Sequence, residues 1–359
     1  MNQHDGFLVL ESGKVFSGKW RGSAEGRAGE VVFNTGHSGY EEMATDPSYC
    51  HQILVMTAPQ QGNYGASAKV WESRKIWIEG FICVEVQDSP RESSWLSTLK
   101  KAGVPVLEDV ETRRLVLHLR ERGTEWGALV QAQSQDEAVK KGLKIIQDKK
   151  SGLDLDWVHQ VSRKSIEKIK GKKSNGIRIA VLDFGCKENT LRELAGRCEE
   201  VCVFPARSSA AEIKSYNPNG ILLSNGPGDP LNVEAAAETV RELVGWRFIF
   251  GICMGHQVLA RALGAKTYRL RFGHRGSNHP IQDRLLNKIY MTSQNHGYAV
   301  ENDSLPKTVE VSHVNLNDNT VAGIHDPSLK LLSVQFHPES RPGPHDSVGL
   351  FDYFLRQIQ

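Results

Sequence analysis

No apolar run in this sequence approaches the ~18 residues that would span a bilayer, and no basic segment followed by an apolar core opens it. A cytoplasmic chain that does not enter a membrane is expected. An excess of charge of one sign is also lacking. The formal net charge of +2 is far from the basic footprint of a nucleic-acid binder. Six cysteines (Cys50, Cys83, Cys186, Cys198, Cys202, Cys253) stand without a C-x-x-C pair, so neither a disulfide framework nor a metal site is expected. Reduced thiols leave one of them available as a nucleophile. No G-x-x-x-x-G-K-[ST] occurs, and the Gly226, Gly228 loop lacks the third glycine of G-x-G-x-x-G. ATP and dinucleotide binding are therefore not expected of this chain.

What is present is ordinary for a globular protein. At 359 residues, with 39% hydrophobic and 24% charged residues, the chain can bury more than one core. Two domains of unequal type are the reading, at 1–147 and 177–359, with a connector at 148–176. Residues 7–22 alternate apolar and polar about Ser12 and Gly13, which predicts a β-hairpin. Further β-rich runs at 30–33, 52–57 and 75–86, with helices near 95–102 and 112–122, make the N-terminal part a compact, smaller α+β domain. Between 148 and 173, eight Lys or Arg stand against four Asp or Glu with little apolar periodicity, which predicts a solvated linker.

From residue 177 the rhythm becomes strand, turn, helix. Strands are expected at 177–183, 201–204, 220–224 and 248–252, and helices at 188–197, 208–216, 233–244 and 254–263. This is an α/β pattern that implies a mostly parallel sheet with helices on both faces. Val233, Ala236, Ala237, Val240 and Val244 mark one apolar helix face and are read as core. Short strands and turns follow, with Asn317, Asp318 and Asn319 as a hairpin-like connection, before a last helix at 346–358.

The run FIFGICMGHQVLARALG sets Cys253 between a short apolar strand and a helix, flanked by Gly251 and Gly255. That is a nucleophile elbow with sulfur in place of oxygen, its glycines permitting a sharp turn and an exposed side chain. The positive end of a helix favours the thiolate, and the Met254 N–H is a candidate oxyanion donor. Cys186 also follows a strand and precedes a helix, but no glycine follows it, and packing accounts for it. A thiolate needs a base and an orienter. SVQFHPES supplies His337 just past a strand and Glu339 two residues on, within reach of the ring. The loop SNGPGDP, residues 224–230, ends another parallel strand and can expose backbone N–H groups at the carboxyl edge of the sheet, where ligands of such sheets bind.

SNGPGDP, GICMGHQ, QNHGYAV and FHPE, in that order, resemble the class I (triad-type) glutamine amidotransferase family. GEVVFNTGHSGYEEMATDPSY and FGHRGSNHP narrow the resemblance to the small subunit of carbamoyl-phosphate synthase, over nearly the whole chain and most weakly at 140–176. The resemblance implies Cys253 as nucleophile, His337 as base and Glu339 as orienter. It implies that L-glutamine is held by Ser48, Gly226, Gly228, Met254, Gln257, Asn295, Gly297 and Tyr298. Met254, Tyr298 and His37 stand where the family commonly has Leu, Phe and Met, departures that bear on packing rather than chemistry.

The same resemblance implies a larger synthetase subunit as partner, carrying the sites for ATP, bicarbonate and metal, with ammonia passed to it through a protein passage. No cofactor and no metal are expected on this chain. Two readings compete with it. One is another class I amidotransferase subunit or a γ-glutamyl hydrolase, against which residues 29–49 argue. The other is a non-catalytic docking subunit, against which the intact Cys253, His337, Glu339 set argues. The motifs do not distinguish service to arginine synthesis from service to pyrimidine synthesis.

Overall fold

The computed structural model describes residues 5–22 and 25–358. The chain divides into two compact units, the first ending at Asp154 and the second beginning at Leu155.

The first unit is built on a closed barrel. The strands are β1 (Gly6–Leu10), β2 (Val15–Arg21), β3 (Arg27–Asn34), β4 (Gln52–Met56), β5 (Gln60–Gln61), β6 (Gly80–Ile82), β7 (Glu85–Val86), β8 (Val106–Glu108) and β9 (Trp126–Gln131). Seven of them close in the order β1-β2-β8-β6-β4-β3-β9, while β5 and β7 pair separately. The expected hairpin is present, with Gly6 to Val9 paired against Gly18 to Val15 and the turn closed by Leu10 N–H to Lys14 O at 2.8 Å. Helices α1 (Tyr40–Thr45), α2 (Trp95–Lys101), α3 (Thr112–Arg122) and α4 (Gln135–Ser151) complete the unit. Tyr40, Trp95, Leu96 and Leu99 pack with Val32, Leu54, Phe81 and Val106.

Helix α4 escaped the sequence reading. Its signals are Ser134 accepting from the Glu137 N–H, and Ala138, Gly142 and Ile146 buried at four-residue spacing. A Cβ at Gly142 would come 2.6 Å from the Val9 Cβ, so the small residue lets the helix lie on β1. Composition hid this stripe because two of its three members are Ala and Gly.

The second unit carries a ten-stranded sheet. Its strands are β10 (Glu167–Lys170), β11 (Arg178–Asp183), β12 (Glu200–Pro205), β13 (Gly220–Leu223), β14 (Phe248–Ile252), β15 (Thr267–Asp283), β16 (Lys288–Val300), β17 (Glu310–Asn315), β18 (Val321–Asp326) and β19 (Leu331–Val334). The order is β10-β12-β11-β13-β14-β19-β18-β17-β15-β16. The run from β12 to β19 is parallel, and the pairings outside it are antiparallel.

Helices α5 (Trp157–Val161), α6 (Glu188–Ala195), α7 (Ala210–Tyr216), α8 (Glu234–Leu243), α9 (Met254–Ala262) and α10 (Gly349–Gln357) accompany it. α7, α8 and α9 cover one face through Ile213, Val240 and Val258. α6 and α10 cover the other through Leu194, Phe351 and Phe354. The α8 stripe is buried at Ala236, Ala237, Val240 and Leu243.

Residues 148–176, read from their charge as a linker, carry regular structure. They hold the end of α4, then α5, then β10, which pairs antiparallel with β12 at the sheet edge. Lysines on an edge strand ward off further pairing, so Lys168 and Lys170 report an edge rather than a tether. Arg163 is also structural. Its guanidinium meets Glu167 at 2.7 Å, Glu188 at 2.9 Å and the buried Asp183 at 3.4 Å.

Candidate active site

The parallel strands β11, β13, β14 and β19 deliver their carboxyl ends to one edge, and the site is assembled from the segments that leave those ends. After β14 comes Cys253, at φ 53 and ψ −103, a conformation that L-residues rarely hold without strain. The strain is sustained by bonds on either side. The Cys253 N–H donates to Val334 O at 2.8 Å, tying the elbow to β19, and the Cys253 carbonyl accepts from the Gln257 N–H at 3.2 Å.

The flanking glycines do a different job from the one expected of them. The cysteine itself takes the positive φ, and Gly255 is needed because a Cβ there would lie 2.2 Å from Leu223 O. The absent side chain lets α9 press against the end of β13. Cys253 is also not exposed as the elbow pattern suggested. It is 1% exposed, and its Sγ contacts the Asn295 carbonyl at 3.7 Å.

After β19 the chain turns so that the His337 N–H donates to Ser293 O at 3.0 Å, forming a short bridge to β16. His337 Nδ1 lies 2.7 Å from Glu339 Oε1, with both side chains buried. Burial opposes a charge on the imidazole, but attraction to Glu339 and to Cys253 outweighs it and holds the group up at about 10. The Nε2 is buried and lies outside ordinary hydrogen-bond geometry from any partner. For Glu339, burial pushes upward, while Lys187 and His337 pull harder and bring it down to about 2. At neutral pH the couple is carboxylate and imidazolium.

Lys187 was not singled out by the sequence reading. Its Nζ sits 3.2 Å from Glu339 Oε1, and it donates to the Ser340 carbonyl. Asn225, inside the 224–230 loop, accepts the Lys187 N–H at 3.2 Å and donates to Gly185 O at 3.0 Å. Asn189 donates to the Glu339 carbonyl. The available signal was a lysine buried between an apolar strand and an amphipathic helix, where an unpaired charge would be costly. His256 was also overlooked. It is fully buried, depressed to about 3 by desolvation and by His313, and its Nδ1 lies 2.8 Å from Ser333 Oγ, linking α9 to β19. Cys186 keeps its thiol strongly protonated, since burial and then Asp183 push it up. That leaves it a packing residue.

The residues expected to hold the substrate fall in both units. Gly226 and Gly228 lie in the loop after β13, and a Cβ at Gly226 would lie 2.2 Å from Phe184 O. Met254 opens α9, so its N–H has no intrahelical acceptor. Gln257 Nε2 donates to Tyr298 O at 2.9 Å and to Gln335 Oε1 at 3.0 Å, which ties α9 to β16, the strand that carries Asn295, Gly297 and Tyr298. His296 Nδ1 lies 2.7 Å from the same Tyr298 carbonyl. Ser48 belongs to the first unit, in a short turn at Pro47–Tyr49, where its N–H donates to Asp46 Oδ1 at 2.9 Å. Among the described residues no cluster of three or more His, Cys, Asp or Glu is placed to hold a metal ion, and no helix is long and apolar enough to cross a membrane.

Comparison with known proteins adds two family matches. The family described as "Glutamine amidotransferase class-I" matches residues 180–357, and "Carbamoyl-phosphate synthase small chain, CPSase domain" matches residues 8–129. A "Carbamoyl phosphate synthase small chain" from Symbiobacterium thermophilum is 45% identical over 358 residues, covering 97% of each chain. One from Chlorobaculum tepidum is 44% identical and covers 100% of this chain and 99% of its own. A "Carbamoyl phosphate synthase pyrimidine-specific small chain" from Bacillus subtilis is 43% identical and covers 98% of this chain and 95% of its own.

Proposed function

The chain belongs to the carbamoyl phosphate synthase small-chain family, and from that premise we propose how its residues divide the work of the glutamine-hydrolysing subunit. The observation that carries the reading is the elbow thiol of Cys253 beside an imidazole that Glu339 orients and keeps charged.

Glutamine is bound with its side-chain carboxamide carbon over the Cys253 sulfur. Sulfur attacks that carbon, a C–S bond forms, and the carbonyl electron pair moves onto oxygen. The oxyanion is received by the N–H of Met254 and by the Gly226 loop. His337, protonated at rest, gives its Nε2 proton to the amide nitrogen as the C–N bond breaks, leaving ammonia and a γ-glutamyl thioester. The ring is now neutral and takes a proton from water, whose oxygen attacks the thioester carbonyl. The C–S bond breaks, glutamate departs, sulfur leaves as thiolate, and His337 is again an imidazolium.

Gly226, Gly228, Gln257, Asn295, Gly297 and Tyr298 hold the substrate. Ammonia released into neutral water would become ammonium and lose its nucleophilicity. It is instead passed to a larger synthetase chain, which supplies the sites for ATP, bicarbonate and metal. This chain needs no cofactor, and the complex works in the cytoplasm.

The test is Cys253→Ser in the two-chain complex. Glutamine-supported carbamoyl phosphate synthesis should fall by on the order of 10⁴, while synthesis from added ammonia persists. Loss with both nitrogen sources would instead mean that Cys253 is structural.

A further inference from the structure

Gln335 lies just after β19, two residues before His337, and is 1% exposed. Its Oε1 accepts from Gln257 Nε2 at 3.0 Å, and its own Nε2 is buried without a hydrogen-bond partner. Among the described residues that acceptance is the only bond its side chain makes. An amide present for packing alone would be better replaced by an apolar side chain of the same shape, because a buried N–H without a partner is costly. What the fold gains from this amide is one acceptor, aimed at Gln257.

The two ends of a carboxamide are told apart by their partners. Gln257 also faces the Tyr298 carbonyl at 2.9 Å. A carbonyl can only accept, so the end of Gln257 that lies between Tyr298 and Gln335 is its NH2 group, whose two hydrogens lie in the amide plane. Tyr298 O alone settles which end points there but leaves the plane free to swing. The second acceptor fixes the plane. Gln257 Oε1 is thereby turned to the other side, where no donor among the described residues bonds it. Gln257 stands one helical turn after Cys253, with its N–H on the Cys253 carbonyl, so this oxygen is carried on the face of α9 that bears the thiol. It is an acceptor held ready for an N–H of a ligand.

We propose that Gln335 is a positioning residue: by accepting from Gln257 it locks the Gln257 carboxamide with its oxygen toward the bound amino acid. The inference rests on the proposed glutaminase reading, in which Gln257 holds the substrate. The effect of Gln335 passes through Gln257 and not through contact with glutamine.

The experiment assays the two-chain complex with glutamine and with added ammonia. Gln335→Met should raise the KM for glutamine roughly 3- to 10-fold, the size of one lost hydrogen bond. Its kcat and its ammonia-dependent synthesis should stay within about twofold of the parent, the mark of lost binding rather than lost chemistry. Gln335→Glu keeps the acceptor and drops only the unpartnered N–H, so its KM should lie within about twofold of the parent, and it carries the test if the Met protein does not fold. In a Gln257→Met background, Gln335→Met should raise KM no further, because a residue that acts only through another is not additive with it. An unchanged KM in Gln335→Met, additive losses in the double variant, a Glu protein as impaired as the Met protein, or loss of ammonia-dependent synthesis overturns the assignment of Gln335. Absence of any glutamine hydrolysis by the unaltered complex would instead overturn the glutaminase reading on which it rests.

Discussion

Lys187 Nζ lies 3.2 Å from Glu339 Oε1, and the two side chains are 3% and 0% exposed. The ammonium comes from the turn after β11, and the carboxylate from the segment after β19, at the far end of the chain. Together with His337 they form a buried row of cation, anion, cation. Burial alone would protonate Glu339, and Lys187 heads the forces that prevent it. An imidazole is kept charged beside the thiol because a second cation, one group removed, keeps its orienter charged.

Removing the ammonium should therefore cost both stability and chemistry. Lys187→Met leaves a buried carboxylate with one partner fewer, a change worth about 3–5 kcal/mol for broken buried pairs. The thermal midpoint of the purified chain should drop, and glutaminase activity should fall at least tenfold. Adding Glu339→Gln should restore part of the midpoint but none of the activity. A Lys187→Met protein with the parental midpoint and turnover would contradict the role given to the ammonium.

Replacing the orienter should move the alkaline limb of the rate profile. His337 is held near 10 chiefly by Glu339 working against burial. Glu339→Gln removes that attraction, so the proton is lost at lower pH. The pH at which glutamine hydrolysis declines should fall by more than one unit, with a lower plateau. An unshifted limb would mean that Glu339 does not set the charge of the ring.

The same couple should leave a signature in stability. Glu339 sits below its ordinary 4.5, so its contribution is present above that pH and is lost as pH falls toward about 2. His337 sits above its ordinary 6.5, so its contribution is whole below that value and is lost as pH rises through about 10. Both are complete between those two ordinary values. The midpoint of the parent relative to Glu339→Gln should be greatest there and shrink on either side. Parallel curves from pH 3 to pH 10 would refute it.

Two glycine substitutions should differ in outcome. Gly255→Ala places a Cβ 2.2 Å from Leu223 O, a backbone atom that cannot step aside. Overpacking of this kind costs about 1–3 kcal/mol, and displacement of α9 should lower turnover. Gly349→Ala, at the start of α10, meets nothing within 4 Å and should be neutral or stabilising by about 0.4–1 kcal/mol. Equal midpoints for the two proteins would show that the approach of α9 to β13 is not tight.

The departure at Tyr298 should be mild. The tie from Gln257 is to its carbonyl, so Tyr298→Phe keeps that bond. Steady-state kinetics with glutamine should give kcat/KM within about threefold of the parent, less than the ~1.4 kcal/mol of a tenfold change. A larger loss would place the phenol hydroxyl in the site.

The alternating half of the fold was readable because its rules are local. Strand 248–252 and the helix that begins at Met254 fall where apolar run and periodicity put them. The first unit was less legible. Closure of seven short strands into a barrel depends on pairings between distant segments, such as β1 with β9 and β2 with β8, which no local pattern announces. The residues around 168–173 misled because charge marks both a tether and a protected sheet edge. In the site, the thiol, the imidazole and its carboxylate were each visible beside a Gly or Pro signal, whereas Lys187, Asn225 and His256 looked like ordinary residues of a turn, a loop and a helix.

Sequence by itself determined which reactive groups the chain carries and on what local backbone each is mounted: a cysteine between strand and helix, and a histidine two residues before a glutamate. Tertiary structure decided their state. Whether a thiol is buried, whether a ring is charged and which lysine holds a carboxylate ionised depend on groups far apart along the chain coming within hydrogen-bonding reach of one another. Coulomb and desolvation energies at that range are set by the packed sheet and not by proximity along the chain.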